Sequence, residues 1–320
     1  MADFCRKFDG VKQTAAHLLM IRPAHFGSNS QTAVNNYFQS KTDKNESELL
    51  DAALKEFDSF VDMLKTNDIA VTVYMDEPEP KKPDSIFPNN WVSFHEDGIA
   101  AIYPLFAPNR RQERNFRILD SLAESGFAIS SKVTFTEAEL HGEFLEGTGS
   151  LVLDRMNNLA FASISPRTNQ DLVMEWCDVF DFKPVVFHSL QKVDSEYKPV
   201  YHTNVMMSLG EKIAVLCSKA IMDKREQDMV TQQIFDTGRT ILEISPDQMS
   251  KFAGNILLVR NIRDQKFWIM STGAFNAFSE EQRSLLETDG KIIHSDLHTI
   301  ESIGGGSARC MVAEVFLPLK

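Results

Sequence analysis

Apolar residues along the chain gather into short runs separated by polar punctuation. Runs of β character occupy 16–21, 69–74, 99–105, 159–163, 185–189, 212–217, 240–244, 255–259 and 266–270. Each is short and predicts a strand. Between them the period lengthens. Leu49, Leu50, Ala53, Leu54, Phe57, Phe60, Val61 and Leu64 keep one apolar stripe over four turns and predict a helix. The segment 110–124 repeats the pattern with Phe116, Leu119 and Leu122. Helices are also expected over 168–180 and 219–235. Another begins at Ser279, where Gln282 three residues on makes a capping box.

Strand pairs and single helices alternate about five times, which predicts an α/β fold. No strand is followed by a glycine-rich phosphate loop that opens a helix. The glycine clusters GTGS at 147–150 and GGGS at 304–307 both lead towards strands. A dinucleotide-binding or P-loop fold therefore fails on context. Five ββαβ-like units around a central axis fit better than one doubly wound sheet. The most loop-like stretch is 76–88, where Pro78, Pro80, Pro83 and Pro88 forbid regular structure. It is short enough for an ordered surface loop and is expected to act as a lid. No Gly/Ser-rich linker divides the chain, so one domain over 1–320 is expected, with 1–14 as a flexible N-terminus.

Composition narrows the class. The apolar fraction is 43%, enough for a substantial core, and 33 basic against 45 acidic residues give a net charge of −12. Without a basic surplus a nucleic-acid backbone is a poor partner. No apolar run is long enough to span a membrane, and no secretory h-region follows Met1. Cys5, Cys177, Cys217 and Cys310 are widely spaced and form no CxxC pair. Reduced thiols and a cytoplasmic location are expected, with a small molecule as partner and a homodimer allowed.

Six residues carry candidate chemistry. Cys310 follows Gly304-Gly305-Gly306, where a backbone turns sharply or approaches a ligand. A thiol has an ordinary pKa of about 8.5 and needs donors or a cation to react as the thiolate. Taken alone, such a cysteine is more often structural. His202 opens an apolar run and is placed to move protons for a distant thiol. Glu146 precedes the 147–150 turn and is suited to orient a histidine or hold a substrate N–H. Arg167, between a strand and a helix start, suits a substrate carboxylate. Asn89-Asn90 follow the proline-rich stretch and offer amides. In isolation the ordinary reading, as a surface, turn or structural residue, is favoured for each. His294 and His298 have helical metal-ligand spacing, but their segment alternates like a strand and no ligand cluster completes it. No metal and no cofactor is expected.

Several segments together resemble one family. They are IRPAHFGSNSQTAVNN at 21–36, DEPEPKKPDSIFPNNWVSFH at 76–95, LEGTGSLVLDR at 145–155, SPRTNQ at 165–170, HTNVMMSLG at 202–210 and GGGSARCM at 304–311. In this order they resemble the pentein superfamily of guanidino- and ureido-modifying enzymes, nearest to bacterial citrulline-utilisation hydrolases. The superfamily includes arginine deiminases, dimethylarginine dimethylaminohydrolases, amidinotransferases and succinylarginine dihydrolase. The resemblance implies a five-bladed α/β propeller with a central site. It implies Cys310 as nucleophile, His202 as general acid and base, and Glu146 as the acidic partner. It implies Arg167 as carboxylate binder, with Asn90 and Asn204 at positions where deiminases carry guanidinium-binding Asp. Asn90 is preferred to Asn89 by register.

Those two amides set the expected substrate. A buried guanidinium needs carboxylate counter-charges. A neutral ureido group instead needs both donors and acceptors, which Asn supplies. Citrulline hydrolysis to ornithine, ammonia and carbon dioxide through a Cys310 thiocarbamate is therefore expected. Arginine deiminase or dimethylarginine hydrolase activity would need a counter-charge, for which Asp84 and Glu143 are candidates. An amidinotransferase, or a non-catalytic ribosome-binding pentein, completes the alternatives.

Overall fold

The five long amphipathic segments each connect two strands of one sheet. In this computed structural model, which describes residues 12–40 and 42–320, the strands form five three-stranded sheets and one hairpin. In every three-stranded sheet one outer strand pairs antiparallel with the middle strand, and the other pairs parallel to it. Four of the sheets follow chain order. They are Val92–Phe94, Ile99–Ile102 and Ser131–Thr134; Leu151–Asp154, Leu159–Ile164 and Lys183–His188; Met207–Leu209, Ile213–Leu216 and Thr240–Glu243; and Leu257–Arg260, Lys266–Ser271 and Lys291–Ser295. The fifth joins the two ends of the described chain, because Ala313–Glu314 pairs with His17–Arg22, which pairs with Ala70–Met75. The hairpin is Leu190–Val193 with Glu196–Pro199.

A helix crosses from the middle strand to the parallel one each time, as a parallel pair requires. The helices are Glu46–Thr66, Arg117–Glu124, Gln170–Phe180, Lys224–Asp236 and, after the short Thr272–Ala277, Glu280–Glu287. Asn45 and Glu48 form a capping box at the first, and Ser279 with Gln282 forms the expected one at the last. Leu49, Ala53, Phe57, Phe60, Val61 and Leu64 of the long stripe are all buried.

Several boundaries differ from expectation. The segment 110–124 is broken into a 3-10 turn, Pro108–Glu113, and the helix Arg117–Glu124. Asn115 accepts the Arg117 N–H and so starts the helix afresh, while Arg110 is turned inward and buried. Capping by Asn169 and Asp223 moves two other helix starts to Gln170 and Lys224. The run 255–259 begins its strand only at Leu257, which leaves Asn255 ahead of it.

The proline-rich segment 76–88 is not simply a surface loop. From Lys82 to Phe87 it is buried. Most of the expected flexible N-terminus, with Cys5, lies outside the described residues. Gln13 and Thr14 are buried, and the Gln13 amide bonds Leu153 O and Arg155 N.

Candidate active site

The segment that enters the first strand of each sheet carries a polar side chain into one place. Asn89 and Asn90 precede Val92–Phe94, and Glu146 precedes Leu151–Asp154. His202 and Asn204 precede Met207–Leu209, Asn255 precedes Leu257–Arg260, and Cys310 precedes Ala313–Glu314. Three of these entries are single tight turns: Pro88–Asn90, Gly147–Ser150 and Thr203–Met206. They pack so closely that two glycines are required. Gly147 has φ +47°, and a Cβ there would lie 2.3 Å from Asn89 O. A Cβ on Gly149 would lie 2.6 Å from Asn90 Nδ2 and 2.8 Å from the His202 ring.

Glu146 and His202 are buried, at 0% and 1% exposure, and His202 Nε2 stands 2.8 Å from Glu146 Oε2. The same oxygen faces Arg167 Nη1 at 3.4 Å and Arg110 Nη1 at 3.7 Å, while Oε1 accepts the Phe106 N–H. Burial alone would raise the Glu146 pKa. Arg167, the His202 hydrogen bond and Arg110 outweigh it and hold the carboxylate below its ordinary range. Burial also dominates at His202, lowering its pKa to about 4 despite Glu146. The imidazole is therefore neutral at pH 7. With Nε2–H given to Glu146, its Nδ1 carries the free lone pair, and Nδ1 has no hydrogen-bond partner among the described residues.

Cys310 is 3% exposed and sits in the turn after the glycine run. Asn255 Nδ2 donates to its sulfur at 3.2 Å, and Asn204 Nδ2 lies 3.7 Å away. Burial pushes the thiol pKa up, partly offset by the Ser307 backbone and the Asn255 amide. At rest the pair is thus a thiol and a neutral imidazole.

Cys310 and His202 line one cavity with Asn90, Asp84, Arg110 and Arg167. Of the two adjacent asparagines, Asn90 lines it and Asn89 does not. Arg110 is paired in a bidentate fork with Glu113, at 2.9 Å twice, and its Nη1 donates to Asn90 Oδ1 at 2.9 Å. Asn90 Nδ2 in turn donates to Asn89 Oδ1. Asp84 Oδ2 accepts from Asn29 at 2.7 Å, while its Oδ1 is buried without a partner among the described residues. Glu143 does not line this cavity.

The cover comes from 29–39 rather than from 76–88 alone. Arg167 Nε and Nη2 grip Asn35 Oδ1 at 2.8 and 2.6 Å, and Nη2 also reaches Thr32 O. On the other side Asn36 and Gln39 donate to Gly305 O and Gly304 O, each at 3.1 Å. The segment thus ties the arginine to the glycine run beside Cys310.

Three residues of this cluster escaped the sequence reading. Asn255 and Arg110 sit in apolar or helix-like patterns that hide them, and Tyr201 was passed over beside His202. Its hydroxyl donates to Gly305 O at 2.5 Å. Among the described residues no cluster suits a metal ion, and no helix is long and apolar enough to cross a membrane. His294 instead stacks on Phe275, with ring centroids 4.1 Å apart.

The repeated three-stranded α/β sheets form a fold shared with solved guanidino-modifying enzymes. The family model for eukaryotic N,N dimethylarginine dimethylhydrolase matches residues 22–317, and the chain belongs to that family. No curated protein matches it. Three of the solved structures that share the fold illustrate it. Apo ArgZ, an arginine dihydrolase from the ornithine–ammonia cycle in cyanobacteria, is 18% identical with a TM-score of 0.71, over 95% of this chain and 41% of its own. AgrE in ternary complex with ornithine and NAD+ is 17% identical with a TM-score of 0.71, over 95% and 40%. A histidine-to-glycine variant of dimethylarginine dimethylaminohydrolase, in adduct with S-methyl-L-thiocitrulline, is 15% identical with a TM-score of 0.60, over 93% and 99%. The chain thus spans about two fifths of the full ArgZ and AgrE chains.

Proposed function

We propose that this protein is a cysteine hydrolase of the ureido group of citrulline, releasing ornithine, ammonia and carbon dioxide. The observation that carries the reading is the chemistry around the Cys310 sulfur. Both side chains that reach it, Asn204 and Asn255, are amides. Asn90, on the same cavity, is a third. A guanidinium at the sulfur would meet no carboxylate there, whereas a neutral ureido carbonyl finds donors.

The protonation states support a sequence of steps. His202 Nδ1 takes the Cys310 proton as the thiolate adds to the ureido carbon. Amide donors stabilise the oxygen charge as in an oxyanion hole. The C–N bond breaks, and His202 returns the proton to the departing ammonia. This leaves a thiocarbamate on Cys310. His202 then activates water, the S–C bond breaks, and the carbamate loses carbon dioxide. Glu146 holds the imidazole and balances it when charged. Arg110 and Arg167 supply positive charge for an α-carboxylate, and Asp84 Oδ1 suits an α-ammonium. No step calls for a metal or organic cofactor. The five entry segments support an arrangement of the sheets as five blades of one domain around this site.

A second reading has its own support. Asp84 Oδ1 is a buried, unpartnered carboxylate oxygen on the cavity, and it suits a guanidinium equally well. Arginine or a methylarginine would then be the substrate, in line with the family. Incubation with citrulline, arginine and dimethylarginine in turn, with ornithine, citrulline and ammonia measured, separates the two. Ornithine from citrulline alone supports the first reading. Citrulline formed from either guanidino compound overturns it.

A further inference from the structure

Asn204, whose amide reaches the Cys310 sulfur, also lines a second interior cavity. Thr148, Arg155, Ser208, Arg309 and Glu314 are on its wall. The charges there do not balance. Arg309 is satisfied: Nη2 donates to Glu314 Oε2 and Nη1 to Val312 O, both at 3.0 Å. Arg155 is 5% exposed, yet its guanidinium makes no ion pair or hydrogen bond among the described residues. Its only close partner is the Phe316 ring, 3.9 Å from Cζ to the centroid. Glu314, engaged by Arg309, acts on Arg155 from beyond ion-pair distance. So does Glu96, which is partly exposed on an outer groove. The Ser208 hydroxyl, 5% exposed on the same wall, has no partner either.

A largely buried cation with no counter-charge in contact is costly by desolvation. Burial does lower the Arg155 pKa, but a guanidinium keeps its proton at any physiological pH. Arg155 and the unpartnered Ser208 hydroxyl share one cavity wall and offer N–H and O–H donors, the donor set of a small anion.

We propose that this cavity is a binding site for a small monovalent anion, of halide or bicarbonate type, held by the Arg155 guanidinium and the Ser208 hydroxyl. The anion supplies Arg155 with the contact that Glu314 makes with Arg309. The site shares Asn204 with the surroundings of Cys310 but does not depend on the function proposed above.

Full-length protein would be crystallised in bromide and its anomalous density measured. Thermal unfolding would be followed in chloride and in gluconate, too large for the cavity, at equal ionic strength. The site predicts a bromide peak within hydrogen-bonding distance of both Arg155 and Ser208. It predicts a Tm higher in chloride by at least about 2 °C, a difference that Arg155→Met abolishes. If Arg155→Met fails to fold, Ser208→Ala must raise the chloride midpoint of that stabilisation about tenfold. Replacing chloride with bicarbonate distinguishes the two anion sources by their midpoints. Water alone in the cavity overturns the proposal. So does a bromide peak with an unchanged Tm, which would mark an adventitious ion only.

Discussion

The Asn255 amide donates to the Cys310 sulfur at 3.2 Å and, through the same nitrogen, to Asn204 Oδ1 at 3.2 Å. One donor thus bridges the nucleophile and a neighbouring amide. A hydrogen bond to sulfur favours the thiolate over the thiol, against the burial that disfavours it. Asn255→Ala is expected to raise the Cys310 pKa, read as the pH dependence of alkylation by iodoacetamide. It is also expected to lower kcat by about 10²–10³, the usual cost of one donor aimed at developing charge. An alkylation profile identical to that of the parent protein would remove Asn255 from the chemistry.

The neutrality of His202 has a pH consequence. The unfolded chain takes up this proton near pH 6.5, while the folded chain refuses it until about pH 4. Stability from this group is therefore complete above 6.5 and falls as pH drops from about 6.5 to about 4. The loss is roughly 3 kcal/mol over that window. Urea midpoints measured at intervals of pH should show this slope in the parent protein and not in His202→Gln. Glu146 titrates below the window, since its pKa is held down, and does not confuse the comparison. The acid limb of kcat/KM should likewise lie near pH 4 rather than 6.5.

Gly149 offers a test of packing within the site. A Cβ there meets Asn90 Nδ2 at 2.6 Å and the His202 ring at 2.8 Å, both side-chain atoms, while the Gly149 φ is ordinary. Gly149→Ala is expected to fold, with a Tm within a few degrees of the parent. The displaced imidazole should cost about 10²-fold in kcat, because small misplacements of a proton-transfer group are that expensive. Gly147→Ala differs. Its φ is positive and its Cβ would strike the Asn89 carbonyl at 2.3 Å, so that variant should lose stability first.

The helices and most strands were legible because their periods differ, and the Ser279 capping box marks one helix start in plain residues, while the one at Asn45 emerged only with the structure. Cys310, His202 and Glu146 were legible only jointly, since each alone reads as an ordinary residue. Asn255 was hidden because it adjoins an apolar run and was absorbed into the strand. The fold reveals it by position: it enters the first strand of its sheet, as Asn90, Glu146, His202 and Cys310 do. Arg110 was hidden for a different reason. Its segment carries helical spacing, and only the break at 114–116 turns the guanidinium inward. The cover at 29–39 has no periodic signal at all, since its order comes from contacts with Arg167 and the 304–305 carbonyls far along the chain.

Under the ureido reading proposed above, the Asn90 amide has a part in substrate choice. Its Oδ1 accepts from Arg110 Nη1 at 2.9 Å, which leaves Nδ2 as the group free to donate, now spent on Asn89 Oδ1 at 3.1 Å. A carboxylate at this position has two acceptors and no donor. Asn90→Asp keeps the Arg110 contact, so the fold should survive. The second oxygen then faces the cavity beside Asn89 Oδ1 with a full negative charge. Such a charge repels a ureido oxygen and attracts a guanidinium. If citrulline is the natural substrate, kcat/KM for citrulline should fall by at least about 10², while the Kd for arginine tightens about tenfold. Calorimetric titration in an Asn90→Asp, Cys310→Ser background measures the second quantity without turnover. Equal arginine binding with and without the Asn90→Asp change would show that selection lies elsewhere, with Asp84 as the remaining carboxylate on the cavity.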